Sequence, residues 1–306
     1  MTDLVFSFPL SEYEETKSVE GEQHRLPLSP SEGFGKAVLK CASNLDFMRT
    51  LETGSMRLVV TSPPYNIGKS YESKKRISID EYVADQREVI GECLRLLDSR
   101  GSICWQVGNH ITKQGEVIPL DVILYPVFRH FGLKLRNRIV WRFEHGLHCT
   151  SRLSGRYETI LWFTKGDDYV FHLDPIRVPV KYPNKKHFKG PRKGELSSNP
   201  RGKNPGDVWD IPNVKANHVE KTDHPCQFPV ELIERLVLAL TDPGDSVLDP
   251  YVGTGTSVIA SIKHGRNGFG ADIEPKFIAL AEERVAALNQ GELKMRPMGR
   301  PIYDPT

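Results

Sequence analysis

Asp249-Pro250-Tyr251-Val252-Gly253-Thr254-Gly255-Thr256 lies between a short apolar run, Ser246–Leu248, and a helical pattern, Thr256–His264. Glycines at such a strand-to-helix turn let the backbone bend tightly and approach a ligand closely. Asp272 ends the next apolar run, Asn267–Ala271, and stands 17 residues after Gly255. A carboxylate at that place in such folds takes ribose hydroxyls. Spacing alone leaves the ligand open among NAD, FAD and S-adenosylmethionine, and it leaves open a packing role for the glycines. The dinucleotide fingerprint asks for a third glycine where this chain has Val258. A second rigid stretch, Thr61-Ser62-Pro63-Pro64-Tyr65-Asn66, follows directly on the apolar run Met56–Thr61. Its two prolines hold the backbone in one direction.

Ser62-Pro63-Pro64-Tyr65 resembles the catalytic motif of the amino-group DNA methyltransferases, and the stretch from Asp249 to Thr256 resembles their cofactor motif. The order, catalytic motif first, is similar to that of the circularly permuted β class, and the resemblance spans about residues 38–290. It implies S-adenosylmethionine as cofactor and an exocyclic amine of a DNA base as acceptor. The lone pair of such an amine is delocalised into the ring, so acceptors on its N–H groups are needed to make it nucleophilic. The resemblance gives that part to the Ser62 hydroxyl and the Pro63 carbonyl, with Pro63 and Pro64 fixing the carbonyl's direction. Tyr65 is placed to stack on a base flipped out of the duplex. Methyl transfer is then an in-line displacement without a covalent enzyme intermediate. Serine rather than aspartate at position 62 implies N4 of cytosine. N6 of adenine is the alternative within the family, and a catalytically silent DNA-binding protein is the alternative outside it.

Other stretches carry the same resemblance. His224-Pro225-Cys226-Gln227-Phe228-Pro229 is similar to the family element that borders the methionine part of the cofactor, which points to His224, Gln227 and Phe228. Pro225-Cys226-Gln227 also matches the nucleophile of cytosine-C5 enzymes. In those the glycine-rich loop precedes the cysteine, whereas here it follows, so Cys226 reads as a bystander. Trp141 to Glu158 resembles the target-base side, and Asn204 to Trp209 a stretch near the end of the recognition region. One departure stands out. Where the family carries Gly-Asp toward the cofactor adenine, this chain has Ala42-Ser43, and Ser43 or Asn44 is left to supply the hydrogen bond.

Strands are expected at Met56–Thr61, Ile103–Val107, Arg138–Arg142, Thr159–Thr164, Ser246–Leu248 and Asn267–Ala271. Helices are expected at 78–98, opened by the capping box Ser78-Ile79-Asp80-Glu81, and then at 117–130, 229–241, 256–264 and 275–288. Alternating strands and helices make a doubly wound α/β sheet, here a Rossmann-like methyltransferase fold with permuted motif order and an inserted basic region. The expected divisions are an arm over 1–36, a catalytic half over 37–173, a target recognition region over 174–221, a cofactor half over 222–290 and an extended tail over 291–306.

Region 174–221 has eleven Lys and Arg against five Asp and Glu, a charge of +6 in a chain of net +2, which suits a polyanion surface. Lys181, Lys185, Lys186, Lys189, Arg192, Lys193, Arg201 and Lys203 are its candidate DNA contacts, joined by Lys69 in the loop 68–78. The five cysteines form no CxxC pair, which argues against a zinc site or a disulfide framework and for a reducing cytoplasm. No apolar stretch approaches the ~18 residues of a membrane span, and no signal peptide is evident. Double-stranded DNA is the expected partner, with a cognate restriction endonuclease as a second. A monomer and a homodimer both remain open.

Overall fold

The structure is a computed structural model that describes residues 35–66, 77–144, 146, 148–215 and 217–300. The arm before Gly35, and the loop with Lys69, Lys74, Lys75 and Arg76, lie outside the described residues.

Ten strands and six helices form among the described residues. The chain opens with β1 (Ala37–Cys41), α1 (Asn44–Arg49) and β2 (Met56–Thr61), followed by α2 (Ile79–Leu96) and β3 (Leu97–Val107). A small hairpin, β4 (Asn109–Ile111) and β5 (Val117–Pro119), leads into α3 (Leu120–His130). Then come β6 (Lys134–Arg142), β7 (Tyr157–Thr164) and, after a long excursion, β8 (Val208–Asp210). The last part runs α4 (Val230–Leu240), β9 (Ser246–Asp249), α5 (Thr256–Ile262), β10 (Asn267–Asp272) and α6 (Pro275–Asn289).

Eight strands make one sheet in the order β1-β10-β9-β2-β3-β7-β6-β8. The five strands from β1 to β3 are parallel, β7 runs against both β3 and β6, and β8 runs parallel to β6. Strand residues alternate between the two faces. Leu58, Val60, Ile160 and Trp162 pack with α4 and α5 on one face. Val59, Ile103, Trp105, Leu161 and Phe163 pack with α2 and α3 on the other. Both faces are covered, which is why the central strands read as continuous apolar runs. The sheet is the doubly wound, Rossmann-like α/β arrangement that the sequence implies.

The expected elements form, with shifted ends. The Ser78/Glu81 capping box is present in both directions and starts α2. β3 begins at Leu97 rather than Ile103, with a register shift in its pairing with β2 between Leu97 and Ser102. A Cβ at Gly101 would meet the Leu97 side chain at 2.7 Å and the Arg57 carbonyl at 3.0 Å, so glycine fits this irregular turn of the strand against β2. Residues 117–119, expected as the first turn of α3, instead pair with β4, and Pro119 caps the helix from outside. β1 and α1 are elements that the sequence reading did not place. Among the described residues, the basic excursion has one 3₁₀ turn (Asp174–Ile176), β8 and two isolated bridges, Val178 with Lys203 and Lys186 with Leu196.

Residues 291–300 of the tail are docked on the body. Arg296 donates from its guanidinium to Glu231 Oε2 at 2.5 Å and from its backbone N–H to Glu220 Oε1 at 3.0 Å. The Gly299 N–H donates to Glu231 Oε1 at 2.9 Å, and the Val230 N–H donates to Glu220 Oε2 at 2.8 Å. The Glu231 side chain is only 2% exposed and pairs with Arg235 at 3.3 Å as well as with Arg296, so removing Arg296 takes away the shorter of its two buried ion pairs. Arg296→Ala is expected to lower the unfolding free energy by about 2 kcal/mol in urea titration, the loss of a charge-assisted hydrogen bond while Arg235 still faces Glu231, and an unchanged midpoint would contradict this docking.

Candidate active site

Parallel α/β sheets bind ligands outside the carboxyl ends of their strands, where the strand order reverses. Here that point lies between β9 and β2. Their backbone pairing is short, Leu58 with Val247 and Val59 with Leu248. A side-chain contact extends the joint: Thr61 Oγ1 donates to Asp249 Oδ1 at 2.5 Å. The same carboxylate accepts from the Tyr251 N–H at 3.0 Å and from Ser257 Oγ at 2.6 Å. Burial raises its pKa to about 6, against the pull of these donors. Asp249 is therefore turned inward. It does not line the cavity and ties together the two stretches that do.

A cavity of about 570 Å³ opens above this joint, within the range of small-ligand sites. Ser62, Pro63, Pro64 and Tyr65 line it from one side; Pro250, Tyr251, Gly253 and Thr256 line it from the other. Gly255 stands behind the wall. It begins α5 with φ of 75°, and a Cβ on it would lie 2.9 Å from that of Ala281 on α6. No side chain suits that combination.

At the β9/β10 end, Asp272 faces the cavity and accepts from the Gly253 N–H at 3.2 Å and the Glu274 N–H at 2.8 Å. Burial raises its pKa. His224 lies against Gly253 and Phe277, its ring centroid 4.4 Å from that of Phe277. Burial lowers its pKa to about 4, so the imidazole is neutral near pH 7 and Nδ1 accepts from the Cys226 N–H at 3.1 Å. Gln227 lines the cavity, but its amide is held by Thr222 Oγ1 and the Glu220 carbonyl, both at 2.8 Å. Phe228 also lines the wall while packing on the core. Ser43 and Asn44 reach the cavity. The Ser43 hydroxyl accepts from the Asp46 N–H at 3.5 Å as the N-cap of α1.

At the β2/β7 end, the Tyr65 hydroxyl lies 3.1 Å from Ser62 Oγ and donates to Glu158 Oε2 at 3.3 Å. Gln106 Nε2 donates to the same oxygen at 2.5 Å. Burial raises the pKa of both Tyr65 and Glu158. Asn66 has φ of 55° and clasps Ile77 across the loop, donating to its carbonyl at 2.7 Å and accepting its N–H at 3.0 Å. Trp141 and Phe143 complete this end, edge to face at 5.2 Å.

The recognition segment divides in two. Asn213, Val214 and Lys215 line the cavity, because the Trp141 indole donates to the Ile211 carbonyl at 2.8 Å and holds the chain after β8 over it. Lys181, Lys185, Lys186, Lys189, Arg192, Lys193, Arg201 and Lys203 are not among its lining residues. Arg192 pairs with Glu195 at 3.0 Å and Arg201 pairs with Asp174, both at exposed positions. Gln106, Phe277 and Lys215 escaped sequence reading. Gln106 ends a central strand beside β2, a position that strand-end logic alone flags; nothing local marks the other two.

The comparisons with known proteins agree with this arrangement. The sequence pattern of the DNA methylase family, the N6/N4 methyltransferases, matches residues 56–283. The chain is 48% identical over 266 residues to the type II methyltransferase M.BglII of Bacillus subtilis, covering 86% of this chain and 73% of that one. It is 31% identical over 242 residues to the DNA adenine methyltransferase YhdJ of Escherichia coli K12, covering 78% of this chain and 79% of that one. A crystal structure of a DNA modification methylase from Thermus thermophilus, complexed with S-adenosyl-L-methionine, superposes with a TM-score of 0.55 at 27% identity, covering 81% of this chain and 94% of that one. With a serine-proline-proline-tyrosine turn and a glycine turn facing one cavity across the switch point, the chain belongs to the N6/N4 DNA methylase family and is an S-adenosylmethionine-dependent DNA methyltransferase.

Proposed function

We propose that the chain methylates N4 of cytosine at a specific sequence in duplex DNA, as the modification enzyme of a restriction system. The observation that carries this reading is the neutral hydroxyl of Ser62 at the cavity wall, beside Tyr65 and opposite the cofactor loop. The resemblance of Ser-Pro-Pro-Tyr to the cytosine type supports the base, and the type II names of relatives such as M.BglII support the restriction setting. Adenine N6 is the second reading, supported by the 31% identity to a DNA adenine methyltransferase.

The cavity suits the cofactor chemically. Its lining carries Asp85, Glu88, Asp272 and Glu274 near aromatic walls, which fits a ligand with a sulfonium charge and ribose hydroxyls. In the proposed division, Asp272 holds the ribose. Pro250, Tyr251, Gly253, Thr256, His224, Gln227 and Phe228 shape the wall, and Ser43 and Asn44 face the adenine. Asp249 and Gly255 act on the site from behind. The cofactor supplies an electrophilic methyl group. Ser62 Oγ and the Pro63 carbonyl accept from the target amine, Tyr65 stacks on the base, and the hydrophobic walls at Trp141 and Phe143 keep water from the reacting nitrogen. Residues 37–173 and 222–290 form the two halves of the catalytic domain, and 174–221 faces DNA.

Mass spectrometry of nucleosides from a methylation-free host expressing the chain is expected to show N4-methylcytosine, lost in Ser62→Ala; N6-methyladenine would replace the cytosine reading with the adenine one. Asp272→Ala is expected to weaken S-adenosylmethionine binding about 10- to 100-fold in calorimetry, the effect of losing a charge-assisted hydrogen bond. Changing Lys185, Lys186, Lys189 and Lys193 together to glutamine is expected to lower the slope of log K for duplex DNA against log salt by about 3 to 4. An unchanged slope would remove this segment from the DNA interface.

A further inference from the structure

Glu158 has a place in the site that the two motifs do not explain. It sits on β7, opposite Trp141 of β6, and lines the cavity from beneath Tyr65. Its Oε2 is the terminal acceptor of two donors, Tyr65 Oη at 3.3 Å and Gln106 Nε2 at 2.5 Å. Backbone closes in on the pair: a Cβ at Gly108 would stand 3.1 Å from the Tyr65 ring and 3.2 Å from Glu158 Oε1. Among the described residues, few ionisable groups face the pair. Tyr65 and Lys215 act on Glu158, while Cys226 and, through its Nδ1 contact to the Tyr65 carbonyl at 3.3 Å, His110 stand beside Tyr65.

The polarity of this chain follows from its end. A carboxylate accepts and cannot donate. Tyr65 therefore spends its single proton on Glu158, and the 3.1 Å contact between Tyr65 and Ser62 is made by the Ser62 proton donated to Tyr65 Oη. The lone pairs of Ser62 Oγ are then left to accept from an amine in the cavity. With Glu158 removed, the hydroxyls of Ser62 and Tyr65 are free to reverse, and Ser62 then presents a proton where an acceptor is required.

We propose that Glu158 is a positioning residue for methyl transfer: acting through Tyr65, it orients Ser62 as an acceptor for the target amine and takes up the proton that the amine sheds. The proposal rests on the amino-group chemistry of the cavity and holds for either base. The proton balance closes. As nitrogen gains the methyl group it loses one proton to Ser62 Oγ, the Ser62 proton passes to Tyr65 Oη, and the Tyr65 proton passes to Glu158 Oε2. Both hydroxyls end neutral and Glu158 ends as a carboxylic acid. Burial raises the pKa of its carboxyl above the ordinary range, against the pull of the Gln106 and Tyr65 donors, which is the direction a proton acceptor needs.

Three variants test this: Glu158→Gln, Tyr65→Phe and the double variant. In infrared difference spectra of the cofactor-free protein between neutral and mildly acidic pH, wild type is expected to show a protonated-carboxyl stretch that is absent in Glu158→Gln and shifted in Tyr65→Phe. The single-turnover rate of wild type is expected to fall as pH drops and Glu158 takes a proton. Glu158→Gln is expected to be slower by about 10²- to 10⁴-fold, the range of general acid–base assistance, and flat across the same limb. Cofactor and DNA affinities are expected to stay within a few-fold of wild type, and the double variant to be no slower than the slower single one. A wild-type rate and pH profile in Glu158→Gln, additive losses in the double variant, or a carboxyl band indifferent to Tyr65→Phe would each overturn the proposal. Should Glu158→Gln not fold, the band shift and the pH profile of Tyr65→Phe decide it. If nucleosides from the wild type carried N6-methyladenine, the cytosine reading would fail while this test stood unchanged.

Discussion

The catalytic geometry depends on one buried carboxylate. Asp249 ends β9 and reaches across to Thr61 at the end of β2, while its other bonds hold the Tyr251 N–H and the Ser257 hydroxyl. The two strands share only two backbone register pairs, so without this side chain their carboxyl ends would be joined weakly where their loops must be aligned. Ser62 follows Thr61 directly, and Pro250 follows Asp249. A single 1%-exposed carboxyl group thus sets the distance between the wall that accepts the amine and the wall that holds the cofactor. The donors around it also explain how such a group tolerates burial, since an unpaired polar atom there would cost about 1–3 kcal/mol.

The distribution of charge separates the two binding partners. The net charge of +2 hides a cavity lined by Asp85, Glu88, Asp272 and Glu274 and an excursion over 174–221 that carries most of the excess cation. The acidic lining suits a cofactor that carries a sulfonium, and the exposed lysines suit a phosphate backbone. Within the excursion the arginines behave differently from the lysines: Arg177, Arg192 and Arg201 are engaged with Asp174 or Glu195. Their planar fork suits fixed pairing, and here it braces the loop internally.

Three stretches far apart in the chain meet behind the cofactor wall. Glu220 caps the start of α4 through the Val230 N–H and also receives the Arg296 N–H, and Glu231 takes the Arg296 guanidinium. The His224 to Pro229 element lies between these anchors. Its position against Gly253 and Phe277 therefore depends on the tail that follows α6, a dependence that the motif itself does not reveal.

The repeating and local features were legible in the sequence. Apolar runs marked the strands, a capping box marked α2, and the glycine and proline turns marked where chemistry sits, because each depends on a short period or on the φ that a residue can adopt. The permuted order of the two motifs came from their resemblance to the family. Tertiary structure alone decided what the side chains do once there. It turned Asp249 inward as a brace, brought Lys215 into the cavity while leaving Lys181 to Lys203 outside its lining, folded the tail onto Glu231, and assembled Ser62, Tyr65, Gln106 and Glu158 into one chain of hydrogen bonds. Such contacts join residues as far as 188 positions apart, and no periodicity in the sequence encodes the pairing of one polar atom with another at that separation.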